Sequence, residues 1–187
     1  MRRFFLLLSC LLLAACALQP VVRQPALRVG AEPAAFVLNA RIAVKHDGKR
    51  SSAALRWTHQ DGVDEMLLFG PFGQTLASIR RDAHEVVLET SQQRYSAQDA
   101  AELTHQVLGW SLPLDGLQYW VLAMPTPQGA ADMERDAQGQ LSMLRQDGWE
   151  IRYTRYATPA VDSLPQRMLL QRAGLEIQLL VDTWEIH

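Results

Sequence analysis

A mainly β fold, curved and antiparallel, is predicted by three observations. Long stretches alternate apolar and polar residues, turn pairs ending in glycine separate them, and just two short segments have a helical period. Phe36, Leu38, Ala40, Ile42 and Val44 alternate with Val37, Asn39, Arg41, Ala43 and Lys45, the pattern of a long half-buried strand. Asp47-Gly48 then turns the chain. Ala53, Leu55 and Trp57 alternate with Ser52, Ala54, Arg56 and Thr58 in a second strand, which Asp61-Gly62 closes. The meander continues through Met66–Phe69, Thr75–Ile79 and Glu85–Glu89. Further on, strands are expected at Glu150–Tyr156, Arg167–Gln171, Leu175–Val181 and Trp184–Ile186, with turns at Asp147-Gly148 and Ala173-Gly174. The expectation is some nine to eleven strands.

The helical segments interrupt this pattern. Ser96-Ala97-Gln98-Asp99 reads as an N-cap followed by an acid in the first turn, and Ala100, Leu103, Val107 and Leu108 mark one helix face before Gly109. Pro113 opens a second helix over Leu114–Met124, which Pro125 and Pro127 close. It is apolar almost all round, so it needs apolar partners on more than one side. A curved sheet of this many strands closes into a barrel or splits into a sandwich, because flat open edges invite aggregation. With helices covering an open end, the expected architecture is a barrel with a helical lid around an apolar interior.

The first residues set the compartment. Arg2 and Arg3 precede an apolar run from Phe4 to Ala15 that is too short to span a bilayer and is sized like a signal sequence. Leu13-Ala14-Ala15-Cys16 resembles a bacterial lipobox, whose cysteine is acylated and becomes the mature N-terminus. Ala17 follows where lipoproteins retained in the inner membrane usually carry aspartate, so the resemblance implies the outer membrane. Residues 1–15 are thus expected to be a lipoprotein signal peptide and 16–33, with Pro20, Pro25 and Pro33, an acylated tether. Residues 34–187 form the folded domain.

Removing residues 1–15 from 187 leaves 172, enough for one core. Cys10 falls in the leader and acylation consumes Cys16, so no disulfide is expected and packing must hold the fold. Without Arg2 and Arg3 the count is 16 basic against 20 acidic residues, a net charge of −4. That balance argues against a nucleic-acid footprint and against a polybasic patch on anionic lipid. Attachment to a membrane is therefore expected through acyl chains.

No catalytic or metal constellation stands out. The five histidines are scattered without an H-x-x-x-H pair, and there is no G-x-S-x-G elbow, G-x-G-x-x-G loop or G-K-[ST]. The acids Asp61, Asp64 and Glu65, and Asp132, Glu134 and Asp136, lie in or beside expected turns and read as solvated. Neither a metal nor a cofactor is expected, and binding is the better class. Five tryptophans and the methionines supply flat or pliable apolar surface that suits acyl chains, although core filling uses the same residues. The sharpest local signal is Phe69-Gly70-Pro71-Phe72-Gly73, whose turn residues put Phe72 at a loop tip. Unless it tucks back into the core, Phe72 is an apolar tooth for a membrane or a partner.

These residues resemble the LolB family, the outer-membrane receptors that take lipoproteins from the periplasmic carrier LolA. The most specific stretch is Arg94-Tyr95-Ser96-Ala97-Gln98-Asp99-Ala100-Ala101-Glu102, followed by Leu112-Pro113-Leu114, Leu117, Tyr119-Trp120-Val121-Leu122 and Pro125. Trp57, Trp149 and Trp184 fall at matching places, and the likeness covers about Phe36 to His187. It implies an incomplete antiparallel β-barrel of about 11 strands with a helical lid over a hydrophobic cavity. It also implies a monomer that meets a LolA-type carrier, holds lipoprotein acyl chains and inserts cargo into the outer membrane with no energy source of its own.

In the family a leucine in an N-P-L-G loop serves the insertion step. Here Gly70-Pro71-Phe72-Gly73 takes that place, so Phe72 is the expected insertion residue, framed by Pro71 and Gly73. The expected cavity lining is Leu55, Trp57, Leu67, Phe69, Leu103, Trp120, Leu122, Met124, Trp149, Ile151, Leu170 and Leu179, with Cys16 as the lipid attachment point. Two other readings are a scaffold lipoprotein with a solid core and no ligand, and a lipid-processing enzyme, which the missing nucleophile motifs disfavour.

Overall fold

The structure, a computed structural model, describes residues 32–187. The expected signal peptide, Cys16 and nearly all of the tether lie outside the described residues. Eleven strands form one sheet: β1 (Phe36–His46), β2 (Lys49–Gln60), β3 (Val63–Phe69), β4 (Thr75–Arg81), β5 (Val86–Thr90), β6 (Arg94–Ala97), β7 (Asp132–Arg135), β8 (Leu141–Gln146), β9 (Trp149–Tyr156), β10 (Pro165–Arg172) and β11 (Leu175–Ile186). Helices α1 (Ala100–Leu108) and α2 (Leu114–Trp120) lie between β6 and β7 in sequence.

The sheet runs β6-β5-β4-β3-β2-β1-β11-β10-β9-β8-β7, with its first and last strands paired at the centre. It neither closes nor splits into a sandwich, because β6 and β7 are its free edges. The helices lie on the segment that leads from one edge to the other, so the edge strands are short and the chain spans the seam between them.

Turn chemistry sets the register. Asp47-Gly48, Asp61-Gly62, Asp147-Gly148 and Ala173-Gly174 all have positive φ at both residues, as two-residue hairpins matched to the right-handed twist require. Inward positions carry the core: Phe36, Leu38 and Ala40 on β1, Leu55 and Trp57 on β2, Ile177 and Leu179 on β11. The expected strands Leu175–Val181 and Trp184–Ile186 are one strand, β11. Its register against β1 shifts at Asn39/Ala40, where Asp182 is the extra residue. That bulge resets the alternation, so Val181 and Trp184 both face the core although they differ in parity.

Both helices differ from the expected bounds. Asp99, not Ser96, is the N-cap of α1, and its carboxylate accepts from the Glu102 amide, while Ser96 pairs with Val87 in β6. Gly109 ends α1 with φ 82°, its N–H donating to His105 O. Helix α2 stops at Trp120 rather than Met124. Ala123 takes φ 56°, and the Ala123 and Met124 amides donate to Trp120 O and Tyr119 O, closing a turn. No helix among the described residues is long and apolar enough to cross a membrane.

Candidate functional site

An apolar cavity of about 380 Å³ lies between the inner face of the sheet and the helices. Its floor is Ile42, Leu55, Met66, Ile79, Leu170, Ile177 and Leu179, and its roof is Val107, Leu108, Trp110, Leu112 and Leu117 from the helical segment. Val44, Ser51 and Ser52 of the β1–β2 hairpin and the exposed Leu76 carry the lining toward one end of the sheet.

Of the expected lining, Leu55, Leu170 and Leu179 stand in this cavity. Leu67 and Phe69 do not. On β3 the even residues Asp64, Met66 and Leu68 turn inward, so the two odd ones face out, Leu67 at 37% exposure. Each borders a groove on the outer face, beside Arg56 and Arg80 for Leu67 and beside Arg41 and Arg167 for Phe69.

The remaining expected residues fill solid core. Trp57 meets Phe36 edge-on at 5.0 Å, and Leu103 is buried on the inner face of α1. Trp120 and Trp149 pack at 6.0 Å in the other half of the sheet, with Ile151 fully buried. Leu122 and Met124 follow α2 and lie partly buried against that core. Among the unexpected lining residues, strand parity alone would have found Met66, Leu68, Ile79 and Ile177, because each shares its face with a buried neighbour two positions away.

Polar groups hold the helices over the cavity. Trp120 Nε1 donates to Gln146 Oε1 at 3.2 Å. The same buried Gln146 binds the Thr126 amide at 2.8 Å and the Thr126 and Gln128 carbonyls through Nε2. The Tyr153 hydroxyl donates to Trp120 O at 2.8 Å, and burial pushes its pKa well above the ordinary phenol value, which keeps that donor in place. Thr104 accepts from the Leu112 amide at 2.9 Å and so fixes the α1–α2 connection.

A buried charge network links α2 to the strands. Asp64, expected to be a solvated turn acid, is fully buried on β3. Its Oδ1 accepts from Trp57 Nε1 and from His59 Nδ1, both at 2.8 Å, and its Oδ2 accepts from Arg81 Nε at 2.9 Å. Arg81 also pairs with Asp115 on α2. Asp132 and Glu134 belong to edge strand β7, where both pair with Arg145. Among the described residues no three His, Cys, Asp or Glu side chains converge as a metal site needs.

Phe72 is 95% exposed at the tip between β3 and β4. Gly70 N–H donates to Gln74 O and Gly73 N–H to Gly70 O, while Gln74 Oε1 accepts from the Phe72 amide, so a bonded turn presents the ring.

Residues 34–184 match the family described as outer membrane lipoprotein LolB. The chain belongs to the LolB family. A Nitrosomonas europaea protein named outer-membrane lipoprotein LolB is 40% identical over 90% of this chain and 79% of its own. A Chromobacterium violaceum protein of the same name is 38% identical over 98% and 99%. Membership in LolB locates the chain at the outer membrane as a lipoprotein of the localisation machinery. A solved candidate outer membrane lipoprotein-sorting domain from Vibrio parahaemolyticus has a similar fold, with a TM-score of 0.50 and 10% identity over 84% of this chain and 87% of its own. The open sheet with its helical segment is thus the fold expected of a LolB-like incomplete barrel.

Proposed function

We propose that this protein receives lipoproteins from a LolA-type periplasmic carrier, holds their acyl chains in the apolar cavity and passes them into the outer membrane as a monomer, without catalysis. The observation that carries this reading is the placement of an apolar cavity and a fully presented phenyl ring toward one end of the same sheet. A scaffold with a solid core needs neither. Each methylene exposed to water costs about 0.8 kcal/mol, so several acyl chains cannot cross the aqueous gap free. They must pass directly from carrier cavity to receptor cavity. An affinity advantage of about 1.4 kcal/mol shifts that exchange tenfold, and partition into lipid removes the product.

The cavity is at the low end of the ~300–1,000 Å³ range of ligand pockets. A cargo with several chains therefore needs the helical segment to move outward. Acylated Cys16 anchors the receptor, and the tether gives the domain room to meet a soluble carrier and tip Phe72 to lipid. Mixing the acylated protein with LolA loaded with a labelled lipoprotein moves the label to the receptor; retention on LolA at every ratio refutes the reading. Phe72→Glu is expected to accept cargo normally yet fail to deliver it to vesicles. Normal delivery by that variant removes the insertion role from the loop.

A further inference from the structure

The sequence contains only two lysines, Lys45 and Lys49, and both flank one turn. With Arg50 they form the tip of the β1–β2 hairpin around Asp47-Gly48, and all three are exposed. None of the three forms an ion pair among the described residues. The nearby acids are Asp47, which faces His46, and Glu176, which is opposite Lys45 and accepts from Gln171. The tip keeps a surplus of positive charge.

Its position gives that surplus a use. Ala54 pairs with Phe69 at the end of β3, and β2 reaches five residues past that pair to Lys49. At ~3.3 Å per residue the hairpin overhangs the Phe72 loop's root by roughly 17 Å. A groove lined by Pro71, Arg41 and Arg167 lies at the base of the loop, and a neighbouring groove lined by Lys45 and Arg50 shares Ala43, Ser52 and Gln178 with it. Ser51 and Val44 of the same hairpin line the cavity. Cations, tooth and cavity therefore occupy one end of the molecule.

We infer that the β1–β2 hairpin tip, through Lys45, Lys49 and Arg50, docks on anionic phospholipid and so sets the cavity against the bilayer beside Phe72. The inference rests on Phe72 facing lipid. The net charge of −4 argues against a basic surface as a whole but does not describe this tip, because attraction to a charged surface fades within a Debye length of about 8 Å and only the nearest groups count. Each such cation contributes about fivefold to binding, so three contribute on the order of a hundredfold.

The test uses the acylated full chain in vesicles, with Phe72→Cys carrying an apolar environment-sensitive fluorophore that replaces the ring. Its blue shift reports docking on vesicles of phosphatidylcholine alone or with phosphatidylglycerol. Docking is expected to need phosphatidylglycerol, to weaken in high salt and to fall on the order of a hundredfold in Lys45→Gln/Lys49→Gln/Arg50→Gln. These side chains are exposed, and unchanged urea unfolding verifies that the variant folds. Equal docking on both vesicles overturns the hairpin's role and leaves the reading of Phe72 intact. An aqueous signal on every vesicle overturns both. If the triple variant docks like the parent but takes cargo from LolA more slowly, the hairpin faces the carrier and the inference is wrong.

Discussion

Asp64 shows how a single residue can escape a reading of sequence. In Asp61-Gly62-Val63-Asp64-Glu65 it looks like one more acid beside a turn, yet the β2–β3 hairpin places it opposite His59 and beneath Trp57. Its partners come from two other strands, β2 and β4, so no local window contains the whole network. Three donors converge on a carboxylate without solvent, and removing one partner of such a buried pair costs about 3–5 kcal/mol. Asp64→Asn, which keeps the shape but turns an N–H toward those donors, is expected to lower the urea midpoint by a loss of about 3 kcal/mol. Asp115→Asn, at the exposed end of the same chain of charges, is expected to cost under about 1 kcal/mol. Equal losses from the two would mean that the exposed Arg81–Asp115 pair contributes as much as the buried Asp64 cluster, against this reading.

At the scale of elements, period and turns were legible where strands are long and half-buried. The hairpins at Asp47-Gly48 and Asp147-Gly148 follow from residue pairs that accept positive φ. Strands β6 and β7 were not legible, being four residues each and mostly exposed at the sheet edges, and β8 lacks a clean alternation because Ser142 and Met143 are both half-buried. The apolar character of α2 did predict its burial, but a glycine within it had no apparent reason. Gly116 is that reason made visible: a Cβ there would meet the Trp120 ring at 2.4 Å. The ring folds back over the preceding turn of its own helix while Nε1 reaches Gln146, and at 1% exposure it has nowhere to go. Gly116→Ala gains about 1 kcal/mol of helix propensity but overpacks the site by about 1–3 kcal/mol. Net destabilisation is expected, together with weaker binding of a fluorescent fatty acid, because adjacent Leu117 lines the cavity. A stabilised variant with unchanged binding would show that Trp120 is free to swing aside.

For the whole molecule, the seam between β6 and β7 decides what the fold can do. A closed barrel would bury every edge and fix its interior volume, whereas this sheet leaves a gap that only the helical segment spans. That segment is tied to the sheet by polar contacts at Arg81, Gln146 and Tyr153 and by buried apolar side chains such as Leu103, Leu114 and Trp120, rather than by a continuous ladder. Opening there breaks no strand ladder, and a ligand that fills the cavity closes the fold from within. The sequence could announce an apolar interior but not its empty part, since an inward leucine looks the same whether it meets another side chain, as Leu38 does, or a void, as Leu55 does. A ligand bound only by the folded state at a hundred times its dissociation constant stabilises by about 2.7 kcal/mol. For a domain of this size that raises Tm by about 5–10 °C. Saturating palmitate below its micellar range is expected to give such a rise, and Leu55→Glu, which puts a charge on the cavity floor, to abolish it. A domain whose core is solid gives no rise with either chain, and that result would favour the scaffold over the receptor.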